Sequence, residues 1–122
     1  DSADWEEVKK KSDSAIEKWI DSQLTGTSVT VVLIGSDTAG KKWIDYEITS
    51  SHKKGNGIIG IHVHNVKDSK STTSTKGKNP FSNWEFTRAG KTITYPVYDW
   101  VNDNGYKNLG DWIEKAAKDA GK

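Results

Sequence analysis

A layered α/β fold built on a parallel sheet is what this sequence predicts, and three observations carry the prediction. Apolar residues recur at helical spacing from Trp5 to Leu24 and again from Leu109 to Ala120. Two short β-branched runs, 28–34 and 57–66, are apolar enough for strands covered on both faces. Between those runs lies a segment of helical character, and strand, helix, strand in that order implies a right-handed parallel crossover. Ligands of such sheets sit beyond the carboxyl ends of the strands, so the residues after Ile34, Val66 and Val101 are where a site is expected.

The elements follow in order. A first helix spans Asp4 to Leu24, with Trp5, Val8, Ala15, Ile16, Trp19, Ile20 and Leu24 on one face. Asp4 and Glu7 form a capping-box variant at its start, and Gly26 stands where a left-handed residue ends a helix. S-V-T-V-V-L-I, Ser28 to Ile34, is a buried strand ended by Gly35 and Ser36. A second helix runs from Gly40 or Lys41 to Lys54, with Ser36, Asp37 or Thr38 as caps and Gly55 closing it. Gly57 to Val66 is the second buried strand. Lys67 to Asn79, rich in Lys, Ser and Thr without periodicity, reads as a mobile surface loop. Thr92 to Val101 is a third strand, and Pro96 inside it points to a sheet edge because it offers no ladder N–H. Leu109, Trp112, Ile113, Ala116, Ala117 and Ala120 form the apolar stripe of a last helix capped by Asn108.

Composition narrows the function classes. With 122 residues the chain is one domain, 1–122, with a real core. Eighteen basic and seventeen acidic residues leave a formal charge of +1 without charge blocks, so neither a nucleic acid nor an anionic membrane is an expected partner. Only 33% of the residues are hydrophobic, but six Trp concentrate apolar area in large side chains. The absence of Cys excludes a disulfide framework, a thiolate nucleophile and a Cys-ligated metal. No apolar run approaches membrane-spanning length, and a cytoplasmic protein is expected.

The most informative stretch is L-I-G-S-D-T-A-G-K-K-W-I-D-Y-E-I, Leu33 to Ile48. A glycine turn and small hydroxyl residues at a strand's carboxyl end leave backbone N–H groups for an anion or a sugar hydroxyl, which singles out Gly35 and Ser36 as ligand contacts. Trp43 and Glu47, four residues apart, share a helical face, with Tyr46 adjacent. A carboxylate beside aromatic rings suits a cationic sugar carrying a planar base. The competing reading packs Trp43 and Tyr46 on the sheet and leaves Glu47 to Lys53, Lys54 or solvent; Trp43→Ala is expected to damage stability more than a change at Glu47, by about 3–5 kcal/mol for a fully buried ring.

Other candidates are weaker. His62 and His64, two apart on a strand, share a face and read as pocket-lining or structural histidines rather than metal ligands; no metal site is expected. Asn65 and Lys67 at the strand exit lie where a nucleotide would sit, with a simple loop cap as the alternative. Lys76, Lys78 and Asn79 suit either a phosphate clamp or a solvated turn. Trp84, Phe86, Tyr98, Trp100 and Trp112 are expected in the core or an interface.

V-T-V-V-L-I-G-S-D-T-A-G-K-K-W-I-D-Y-E-I, then K-K-G-N-G-I-I-G-I-H-V-H-N-V-K-D and K-G-K-N-P-F, resemble the TIR-like proteins of bacterial Thoeris anti-phage systems from Trp5 to about Phe81 and more loosely beyond. The resemblance implies a three-layer, flavodoxin-like sheet of strand order 2-1-3-4-5, of which this chain is the C-terminal portion without the first two strands. It implies that the Glu of W-x-x-x-E, Glu47, cleaves the nicotinamide–ribose bond of NAD; Gly35, Ser36, Trp43, Tyr46 and Asn65, placed near it by the reading above, are then the expected substrate-binding residues. NAD is then the substrate and no resident cofactor is needed. The product is ADP-ribose or a cyclic derivative of it that signals to a downstream effector, and self-association is a further expectation. A non-catalytic nucleotide-binding or assembly module is the alternative. With two strands missing, the edge of 29–34 would need a strand from a longer chain or a neighbouring one.

Overall fold

In the computed structural model the described residues are 20, 22–67, 72–82 and 84–122. Most of the first expected helix, including the Asp4–Glu7 cap, lies outside them. Its last turn, Ile20 and residues 22–24, is helical, and Gly26 follows at φ +80° as a left-handed terminator should.

Strand β1 (Val29–Ile34), helix α1 (Lys42–Lys53) and strand β2 (Gly57–His62) form the expected crossover, with β1 and β2 parallel from Val29↔Gly57 to Ile34↔His62. Strands β3 (Phe86–Arg88) and β4 (Lys91–Ile93) make a separate antiparallel hairpin. Strand β5 (Val97–Asp99) joins β2 in parallel, and helix α2 (Gly105–Asp119) ends the fold. Among the described residues the parallel sheet has the order β1-β2-β5. That is the run expected of the last three strands of a flavodoxin-like sheet, and all six residues of the central β2 are buried.

Alternation along β2 feeds two apolar layers. Ile59, Ile61 and Val63 meet Trp100, Leu109, Trp112, Ile113 and Ala116 on the α2 side, where Ile20 and Val29 also pack. Ile58 faces Val32, Ile34, Ile44, Ile48, Phe81, Phe86 and Tyr95 on the α1 side. Gly57 has to lack a side chain, because a Cβ there would lie within 3.2 Å of the Ala116 Cβ and closer still to its backbone carbonyl. The two helices use different stripes. In α2, Leu109, Trp112, Ile113 and Ala116 are buried; in α1 only Ile44, Ile48 and Ser51 are.

Several boundaries differ from the sequence expectation, each for a local reason. The single strand 92–101 is two strands. The Ala89–Gly90 turn, at φ +53° and +78°, folds Lys91–Ile93 back onto Phe86–Arg88. Pro96 then breaks the run and presents its carbonyl to the Gly60 N–H at 3.0 Å. The edge position inferred from Pro96 holds among the described residues, where β5 pairs only with β2.

Strand β2 stops at His62; one further bond, Val63 N to Ile34 O at 3.0 Å, precedes a turn at 64–66. Helix α2 starts at Gly105, ahead of the expected Asn108 cap, with Asn104 as its N-cap at φ +54°. The Asn108 amide instead donates to the Asp103 carbonyl at 2.9 Å. Nor does Ser36, Asp37 or Thr38 cap α1, whose N-cap is Lys41 without a side-chain bond.

The segment read as a mobile loop is folded back where it is described. Ser74 N–H donates to the His64 carbonyl at 2.8 Å. Gly77 lies so close to the Gly35 carbonyl and Ser36 that no Cβ fits there.

Candidate active site

The site begins at the carboxyl end of β1. After Ile34 the chain turns, and the turn is fixed by the Gly35 N–H donating to Thr38 Oγ1 at 2.7 Å. Three residues later Lys41 opens α1. The helix is held on β1 by Ile44 and Ile48 and by a 2.9 Å hydrogen bond between Ser51 Oγ and Thr30 Oγ1. This anchoring fixes which α1 side chains look along the flank of β1.

With ~100° between successive helical residues, Glu47 falls between Trp43 on its outer side and Ile44 on its buried side. Trp43, Ile44 and Glu47 line a cleft of about 470 Å³ together with Gly35, Thr38, Val31, Leu33, Val63, Ile20 and Leu24. The volume lies within the range of small-molecule sites. Its walls are mainly apolar, and no basic side chain is among the described residues lining it.

Glu47 is the ionisable group in these walls. Partial burial pushes its carboxyl pKa up from the ordinary value, through desolvation alone. No ion pair to Lys53 or Lys54 is formed among the described residues. The Trp43 ring is 62% exposed, so the reading in which it packs on the sheet is wrong, and with it the 3–5 kcal/mol ascribed to its burial. Ile44 and Ile48 occupy the sheet-facing positions instead.

The other expected contacts divide. Gly35 lines the cleft. Tyr46 is 73% exposed and does not line it, because it lies ~60° beyond Trp43 on the solvent side of α1. Ser36 is exposed and outside the lining; Thr38 takes its place. Asn65 also lies outside the cleft, with its amide donating to Asp99 Oδ2 at 3.5 Å. Thr38, which the sequence offers as a cap and does not single out as a ligand contact, is the hydroxyl residue of the turn that lines the cleft. Asn79 is a turn former, its Oδ1 accepting from Phe81 N at 2.8 Å, whereas Lys76 and Lys78 are exposed on either side of Gly77.

His62 and His64 do share a face, with rings 5.6 Å apart and perpendicular. Both are buried, and the Nδ1 atom of each lacks a partner among the described residues. His64 Nε2 lies 3.9 Å from Asp99 Oδ2. The His62 pKa is lowered, first by burial and then by Lys76 and His64, with Asp99 opposing. Among the described residues no group of three His, Cys, Asp or Glu side chains is arranged to hold a metal ion. Phe86, Trp100 and Trp112 are core residues as expected, and Tyr98 stacks on Trp112 at 4.1 Å.

A parallel sheet between two helical layers, with a W-x-x-x-E carboxylate in a cleft at the carboxyl end of a strand, defines a flavodoxin-like domain of the TIR-like class. Residues 1–68 match the family model of the Thoeris protein ThsB, TIR-like domain. The chain is 34% identical to a Bacillus cereus (strain MSX-D12) protein named "Putative cyclic ADP-D-ribose synthase ThsB1", over 93% of this chain and 80% of that protein. This chain therefore belongs to the Thoeris TIR-like family. No helix among the described residues is long and apolar enough to cross a membrane.

Proposed function

We propose that this chain is an NAD-consuming enzyme of Thoeris defence that breaks the bond between nicotinamide and ribose, with Glu47 as its catalytic carboxylate. The observation that carries the reading is the placement of Glu47, half-buried and without an ion pair among the described residues, in a cleft beside the exposed Trp43 indole. In this reading the cleft takes the nicotinamide–ribose half of the dinucleotide. Trp43 offers a face for the planar cationic ring, and Gly35 lines the same cleft.

The C1′–N bond breaks with its electron pair leaving on nicotinamide, so positive charge develops on the ribose. The Glu47 carboxylate stabilises that charge and holds the ribose hydroxyls. Capture of C1′ by water, with loss of a proton, gives ADP-ribose; capture by a nucleophilic atom of the same molecule gives a cyclic product. The name carried by the Bacillus cereus relative favours cyclisation, and a cyclic nucleotide would act on a downstream effector. Self-association and a cytoplasmic location belong to the same reading.

The test is incubation of the full chain with NAD and chromatographic separation of nicotinamide and the nucleotide products. Release of nicotinamide by the wild type and none by Glu47→Gln is expected. A folded protein that binds NAD and leaves it intact would instead be a nucleotide-binding or assembly module.

A further inference from the structure

We infer that Thr38 binds the substrate, donating its hydroxyl proton to a hydroxyl of the nicotinamide ribose that in turn donates to Glu47. The inference rests on the reading of Glu47 given above. Thr38 lines the same cleft as Glu47 and Trp43. Its side chain is already oriented, because Oγ1 accepts the Gly35 N–H at 2.7 Å. A hydroxyl has one donor proton and two acceptor positions. The Gly35 bond occupies one acceptor position and leaves the proton to be given away.

The groups around the cleft restrict what can receive that proton. Among the described residues the lining is otherwise apolar apart from the Glu47 carboxyl, the Trp43 indole and the backbone of the Gly35 turn. A carboxylate accepts and never donates, so it needs a partner able to accept from Thr38 and donate to Glu47. A sugar hydroxyl does both. The resulting chain, Gly35 N–H to Thr38 O–H to ribose O–H to Glu47, has every donor pointing the same way, an arrangement in which each bond polarises the next. It also keeps both ends fixed, one on a backbone turn and the other on a helix anchored to the sheet.

The test compares wild type, Thr38→Ser and Thr38→Val, first with NAD and then with NAD analogues lacking the 2′- or the 3′-hydroxyl of the nicotinamide ribose. Calorimetric binding of ADP-ribose, which needs no turnover, is measured beside nicotinamide release. Thr38→Val is expected to lower kcat/KM about tenfold on NAD, the loss of one hydrogen bond, while Thr38→Ser stays within about twofold. With one of the two deoxy analogues the Val penalty should vanish, because the partner hydroxyl is gone. An equal penalty on NAD and both analogues would show that Thr38 only shapes the Gly35 turn, and would overturn the inference.

The two readings fail differently. Nicotinamide release with a uniform Val penalty leaves the enzyme reading intact and removes Thr38. ADP-ribose binding that weakens about tenfold in Thr38→Val, without nicotinamide release from wild type, keeps Thr38 and removes catalysis. Neither turnover nor binding overturns both.

Discussion

Trp112 and Trp43 stand on two helices that flank one sheet, and they do opposite things. The α2 indole is 9% exposed and stacks on Tyr98; the α1 indole is 62% exposed and borders a cleft. Helix α2 commits its aromatic surface to the core. Helix α1 holds on with two isoleucines and a serine and leaves its aromatic and acidic side chains available. The difference teaches that a helix serving a site is anchored by its smaller apolar residues, and that the largest side chain is no guide to which face is buried.

That contrast is broken most directly by truncating the two indoles. Trp112→Ala should cost about 3–5 kcal/mol of stability, as for a buried aromatic, read from denaturant unfolding. Trp43→Ala should cost under about 1 kcal/mol, as for a surface substitution, and act on turnover instead. Equal losses of stability would mean that α1 and α2 are used alike.

The next effect is on pH. His62 titrates lower in the fold than in the unfolded chain, whose ordinary value is about 6.5. As pH falls below about 6.5 the unfolded state takes up its proton first, so stability is full above that value and declines below it. The groups facing His62 are His64, Lys76 and Asp99. His62→Gln should flatten the decline of the thermal midpoint between pH 7 and 5; an unchanged slope would assign it to other groups.

The smallest expected effect lies in the hairpin. Ala89 sits at φ +53°, a conformation costly for a residue with a Cβ. Ala89→Asn should stabilise by about 0.5–1 kcal/mol, and destabilisation would mean that the turn differs from the one described.

What could be read from the sequence follows from periodicity. α1 and α2 repeat their apolar residues on one helical period and β1 and β2 are short continuous apolar runs; helical spacing put Trp43 and Glu47 on one face, and only the W-x-x-x-E resemblance singled out Glu47. The hairpin was missed because Ala89–Gly90 lacks the Asn-Gly or Asp-Gly signature of its turn. That Ser36 and Tyr46 stand outside the cleft lining could not be read from the sequence, because adjacency does not reveal angular position. The place of Thr38 in the cleft lining depends on a bond to Gly35 inside the turn, and the folding back of 72–79 on a contact between Gly77 and Gly35, neither of which a local pattern encodes.

The central claim is that Glu47 is kept for chemistry at some expense to the fold. Burial raises its pKa, so ionisation costs stability as pH rises from about 4.5 through the folded value. The deciding measurement sets nicotinamide release and thermal midpoint side by side for wild type and Glu47→Gln at neutral pH. Loss of nicotinamide release together with an equal or higher midpoint is the predicted result; a folded Gln variant that still releases nicotinamide at the wild-type rate would contradict it.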